Sequence, residues 1–151
     1  MKRILYTTLM CLMALTLNAQ QYVDLGLPSG TKWSTENEPG FFYNYNSAFL
    51  DFGSSLPTKE QFKELEENCT WEWKDNGYRV TGPNGNSIFL PADGFRKCDG
   101  ELLENGKNGT YWSSTFNDID HAWCLHFSSS RIGITAPERC TGRAVRLVQN
   151  K

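Results

Sequence analysis

Two histidines, five cysteines and one short acidic cluster are the residues with the widest chemical repertoire in this chain of 151 residues. His121 and His126 stand five positions apart in HAWCLHF, a segment that alternates like a strand. An odd separation puts them on opposite faces, so they do not share a metal ion unless a bulge intervenes. Cys124 and His126 share a face, and a Cys–His nucleophile pair would need that proximity. The competing reading is a structural cysteine beside a packed or exposed histidine, and it is the stronger one. Asn117, Asp118 and Asp120 in FNDID offer oxygen ligands, but calcium takes about six to eight of them. The same residue types favour turns, so neither calcium nor another cofactor is expected. Ser113 and Ser114 lack the Gly-x-Ser-x-Gly setting of a nucleophile elbow. GPNGNS has hairpin spacing and lacks the lysine of a phosphate-binding loop. Trp71 and Trp73 share a strand face and could stack on a sugar ring, although such pairs in small sheets more often build core.

The elements that would position these groups begin after a leader. Lys2 and Arg3 precede a mostly apolar run from Ile4 to Leu17, and Ala19 is a small residue before a cleavage point. The pattern predicts a signal peptide over residues 1–19 and a single exported domain over residues 20–151. The apolar run is shorter than the ~20 residues of a transmembrane helix, so no membrane span is expected after cleavage. Cys11 lies inside that run behind Met10, which does not fit a lipoprotein signal. The net charge is −2, and no run of Lys or Arg points to nucleic acid.

Four cysteines remain after the leader: Cys69, Cys98, Cys124 and Cys140. In an exported domain an even count predicts two disulfides, with three pairings open. The preferred pairing is Cys69–Cys98 with Cys124–Cys140. The second bond would close a short loop and stabilise by about 3 kcal/mol in the chain-entropy model. The alternative is four buried free thiols. No CxxC occurs, which argues against a zinc ribbon or a thioredoxin-like site.

One segment has the marks of a helix. Thr58 and Gln61 form a capping box behind Pro57, and Phe62, Leu65 and Cys69 fall on one face, with an end near Asn68. The charged residues between them form a solvated face. QYVDLGL, YRVTG, SIFLPA, GTYWSS, HAWCLHF and RAVRLV read as strands, and Asn84-Gly85 reads as a hairpin turn. Residues 36–53, 97–108 and 128–141 read as loops, where binding usually lives.

The blocks VDLGLPSGTKW, LPTKEQFKELEENCTWEW, VTGPNGNSIFLPADGFR, YWSS and GRAVRLV occur in that order from Val23 to Val148. Together they resemble the Fibrobacter succinogenes major paralogous domain family of exported bacterial proteins. The resemblance covers most of the chain. It departs in the short stretch Ser34–Ser55, in STENEPG after the first block, and in Arg143-Ala144 before the final Val-Arg pair. It implies an α+β, C-type-lectin-like fold shared with formylglycine-generating enzymes: a small twisted antiparallel sheet, one or two helices and long loops. The motifs of calcium-dependent sugar binders are absent, and Glu38-Pro39 is followed by Gly40. The resulting expectation is a non-catalytic binding or surface-interaction module whose partner is a protein or a glycan. Its contacts would come from the loops at 97–108 and 128–141. The alternatives are an enzyme related to formylglycine-generating enzymes and a structural subunit of a surface assembly.

Overall fold

The computed structural model describes residues 21–40 and 42–151. The expected signal peptide, its cleavage point and Cys11 lie outside the described residues. The architecture is α+β, with two α-helices and several small antiparallel sheets in place of the single sheet expected. Among the described residues, no helix is long and apolar enough to cross a membrane.

Strands β1 (Tyr22–Asp24) and β2 (Lys32–Ser34) open the chain. Helix α1 (Tyr45–Phe52) follows, and after a one-turn 3-10 helix at Gly53–Ser55 comes α2 (Lys59–Asn68). Strands β3 (Thr70–Lys74), β4 (Gly77–Thr81) and β5 (Ser87–Pro91) form a meander. A small pair, β6 (Phe95–Arg96) and β7 (Leu102–Leu103), precedes the longest strand, β8 (Asn108–Phe116). Then come β9 (Ala122–Ser128) and β10 (Arg131–Thr135), and β11 (Val148–Gln149) closes the chain. Strand β11 pairs with β2, so the last residues are tied to the first block.

The sheet β8–β9–β10 is the centre of the molecule, and strand alternation gives each of its faces a different core. Tyr111, Leu125 and Phe127 point to a large core shared with Phe62 and Leu65 of α2 and with Trp33, Tyr78, Val80 and Leu90. Trp112, Ala122 and Cys124 point the other way, to a smaller core with Tyr45 and Ala48 of α1, Leu56, Val145 and Leu147. The two helices therefore cover opposite faces of one sheet. Gly109 is placed by the same packing, because a Cβ there would lie 2.0 Å from the Phe127 ring across the ladder.

Helix α2 forms as its sequence dictates. Thr58 Oγ1 accepts from Gln61 N–H at 3.1 Å, and Gln61 Oε1 accepts from Thr58 N–H at 2.9 Å. Such a box satisfies two amide donors that the first turn leaves without partners. The β4–β5 hairpin also forms, with Gly85 at φ +87°. Asn84 and Asn86 each donate to the Asp24 carbonyl, at 2.8 and 2.9 Å, and so dock the turn on the opening strand. The β3–β4 connection is a two-residue turn whose Asp75 and Asn76 both have positive φ, the conformation that matches strand twist.

Three segments read as loops contain structure. Residues 36–53 hold α1, capped by Asn44, whose side chain accepts from Ser47 N–H at 2.9 Å. Tyr45, Ala48, Phe49 and Phe52 fall at i, i+3, i+4 and i+7, the spacing of an apolar helix stripe, and Tyr45 and Ala48 are the buried members. Residues 128–141 hold β10, whose exposed ends hide its alternation, and residues 97–108 hold the short β7. In the other direction, RAVRLV is mostly irregular. Arg143 and Ala144 make isolated bridges to Tyr43 and Tyr111, and regular pairing starts only at Val148.

The disulfide found is Cys98–Cys140, and Cys69 and Cys124 are free thiols. The preferred pairing is thereby corrected. Cys124 is on an inward face of β9, 3.3 Å from the Thr135 hydroxyl, whereas Cys140 lies in an exposed loop. Cys69 caps the C-terminus of α2 and packs against the larger core. Each expected pair joined an inner cysteine to an exposed one, and the bond forms instead between the two exposed residues.

Candidate functional site

Several of the candidate groups are engaged in structural contacts. Cys124 is buried, and burial raises its thiol pKa, opposite to what a thiolate nucleophile needs. Burial also pushes the Cys69 thiol up, to about 11. His126 is held below the usual histidine range by burial and by Arg143 and Arg131. The Ser113 hydroxyl donates to the Trp123 carbonyl at 2.6 Å, and Ser114 N–H donates to the Pro57 carbonyl. Trp71 and Trp73 are partly buried and pack edge-on against Tyr78 and Phe127 at the margin of the larger core. In FNDID, Asp118 Oδ1 accepts from the amides of Asp120 and His121 and lies 2.8 Å from His121 Nδ1. That hydrogen bond raises the His121 pKa and lowers that of Asp118. The cluster thus builds a polar turn.

The turn forms one wall of a cleft of about 930 Å³ at the end of the molecule where α1 begins. Asn44, Asn46, Ser47 and Leu50 supply the α1 wall, and Ile119, Asp120 and His121 supply the turn. Glu138, Arg139 and Cys140 form the floor, with Cys98 beside them. Backbone bonds fix these pieces. Tyr45 N–H donates to the Arg139 carbonyl at 3.0 Å, and Arg139 N–H donates to the Asp120 carbonyl at 2.7 Å. The Cys98–Cys140 bond secures the outer loop. Cys98, Glu138 and Cys140 have metal-ligand side chains close together, but their two sulfurs are bonded to each other, leaving Glu138 as the anionic member.

Arg139 sits where the walls meet. Its guanidinium lies over the rings of Tyr45 and Phe116, at 4.9 and 5.5 Å from their centroids. Nη1 donates to the Ile119 carbonyl at 3.2 Å, and Nη2 donates to Asn46 Oδ1 at 2.7 Å. Among the described residues, no carboxylate lies within 4.0 Å of it. A guanidinium carries five N–H donors, so only part of its capacity is used by the protein. Around it stand Phe49, Leu50, Phe116 and Ile119, which are 37%, 83%, 54% and 85% exposed. These are four of the five large exposed apolar side chains among the described residues. Scattered singly they would be ordinary, but here they are gathered around one cleft.

The loops expected to make contacts contribute unequally. The 128–141 loop supplies Glu138, Arg139 and Cys140, and the 97–108 loop supplies Cys98. The apolar part comes from α1 and the turn after β8, which sequence reasoning did not single out. The available signal was the helical spacing of Tyr45, Ala48, Phe49 and Phe52 behind Asn44, together with Phe116 and Ile119 flanking polar turn residues.

Comparison with known proteins finds no matching family model, no matching curated protein and no matching solved structure.

Proposed function

We propose that the chain is an exported, non-catalytic binding module whose contact surface is the cleft between α1, the 116–121 turn and the 137–140 loop. The observation that carries this reading is the grouping of exposed Phe49, Leu50, Phe116 and Ile119 around an arginine that has no carboxylate partner among the described residues. Export is supported by the leader pattern and by the exposed Cys98–Cys140 bond, since disulfides persist in oxidising compartments. A lectin-like scaffold of the Fibrobacter succinogenes major paralogous type is part of the proposal. Its support is the ordered set of blocks, together with a capped helix and hairpin at the places those blocks put them. The absence of catalysis is supported by the engagement of Cys124, Ser113 and His121 in structural contacts.

The test is a screen of the secreted protein against surface proteins and glycans, repeated with a Leu50→Ser/Ile119→Ser double variant. Both side chains are largely solvent-exposed, so the variant should fold as the parent does. Binding to the parent that drops in the variant supports the reading. Binding that is unchanged in the variant places the contact surface elsewhere.

A further inference from the structure

The charge and shape of the cleft narrow the partner's chemistry, on the premise that the cleft is the binding surface. Arg139 is the organising group. Two aromatic rings and two hydrogen bonds hold its guanidinium in place, so little side-chain freedom is lost when it binds. A guanidinium on a rigid mount is matched to a carboxylate, which it can hold through two parallel N–H donors. Arginine and aromatic anchors of this type dominate the energetics of protein–protein contacts.

The surroundings select among carboxylate ligands. Asp118, Asp120 and Glu138 lie on or beside the rim, so a polyanion would meet repulsion on either side of Arg139. The exposed apolar residues that line the cleft itself, Leu50 and Ile119, are aliphatic and offer no flat face to a sugar ring. Phe116 is flanked by Tyr45 at 5.7 Å, by Phe49 at 5.2 Å and by the Arg139 guanidinium. A single carboxylate next to apolar side chains fits this arrangement, and a protein segment supplies that combination.

We infer that Arg139 anchors one carboxylate of a partner protein, an Asp, a Glu or a chain terminus, while the partner's neighbouring apolar side chains cover Leu50, Phe116 and Ile119. The inference rests on the binding-module reading above and would make the partner a protein rather than a glycan.

The test begins with the protein as secreted and a phage-displayed library of random peptides. Selected sequences should pair an acidic residue with aliphatic or aromatic neighbours. A synthetic peptide of the consensus is then measured by fluorescence polarisation on the parent and on Arg139→Gln. Replacing the peptide's carboxylate with its amide should weaken binding to the parent by about tenfold or more. The same replacement should change little on Arg139→Gln, because the interaction it removes is already gone. Equal losses on both proteins overturn the inference. If Arg139→Gln fails to fold by circular dichroism, Leu50→Ser with the acid and amide peptides takes its place. The inference then requires weaker binding to Leu50→Ser together with the same acid-over-amide preference. Selection of peptides without acidic residues overturns it. If only glycans bind at the cleft, the partner assignment falls and the binding-module reading stands. If neither peptides nor glycans bind, both fall.

Discussion

Arg139 and Arg146 lie seven residues apart in one C-terminal stretch, and the protein uses them in opposite ways. Arg146 is buried. Its Nε donates to Asn37 Oδ1, its Nη1 to the Ser34 and Thr35 carbonyls, and its Nη2 to the Phe89 carbonyl. Burial lowers its pKa, while Tyr111, Glu36 and Asp93 act to raise it. It ties the β2 end, the loop that follows and β5 together. Arg139 is half-buried, bonds one carbonyl and one amide oxygen, and leaves donors toward a cleft. Arg143 lies between them in sequence and in character. It is buried between the Phe95 and Trp112 rings and donates to the Thr141 hydroxyl. Arg146 has its donors consumed by carbonyls inside the fold, whereas Arg139 is stacked on rings at a cleft with donors to spare, which is why the proposal places ligand contact at Arg139 and bracing at Arg146.

That contrast predicts different consequences for damage at the two ends. Arg146→Leu should cost the most stability, about 3–5 kcal/mol, because it leaves the Ser34, Thr35 and Phe89 carbonyls buried without partners. Urea denaturation measures this directly. A loss below about 1 kcal/mol would mean that water or backbone relaxation replaces those bonds, and the brace would not be one. Removing the Cys98–Cys140 bond by a double serine substitution should cost about 2–4 kcal/mol, since it closes a separation of 42 residues. Alkylation of the unfolded, unreduced protein should label Cys69 and Cys124 and spare Cys98 and Cys140. Labelling of all four would contradict the clamp on the cleft's outer loop.

Smaller effects sharpen the comparison. Thr58→Ala breaks the capping box of α2 and should cost about 1 kcal/mol without changing ligand binding, because α2 covers the sheet face opposite α1. A nuclear magnetic resonance titration should place His121 above the ordinary histidine midpoint and His126 below it. The signs oppose each other in stability. The His121–Asp118 pair contributes fully below the unfolded histidine value and is lost as pH rises through the raised folded value. For His126 the unfolded chain takes the proton more readily, so acidification through the ordinary range works against the folded state. Coincident midpoints would remove the electrostatic distinction between the rim histidine and the half-buried one.

Several local elements were legible in the sequence, and most of the cleft was not. The capping box, the Asn84-Gly85 turn and the alternation of HAWCLHF are local patterns that packing reinforces, and each formed where its residues place it. Helix α1 was missed although Tyr45, Ala48, Phe49 and Phe52 fall at i, i+3, i+4 and i+7 behind the Asn44 cap, because the stripe is short and lies among turn-forming Gly, Asn and Ser. Phe49 and Leu50 are exposed, so part of its apolar surface faces solvent. The disulfide escaped because spacing along the chain says nothing of which cysteines reach the surface. The two buried arginines of GRAVRLV were also hidden, because alternation alone cannot tell a solvated arginine from one such as Arg146, which braces three carbonyls from two segments.

The proposal assigns the contact surface to the cleft around Arg139 and not to the groove of about 440 Å³ beside Thr35, Arg79 and Phe89. Chemical-shift mapping of the isotope-labelled protein with a bound ligand tests it most directly. The account predicts shifts concentrated at Asn44–Leu50, Phe116–His121 and Pro137–Cys140. Shifts concentrated at Thr35, Arg79 and Phe89, with the Arg139 segment unmoved, would contradict it.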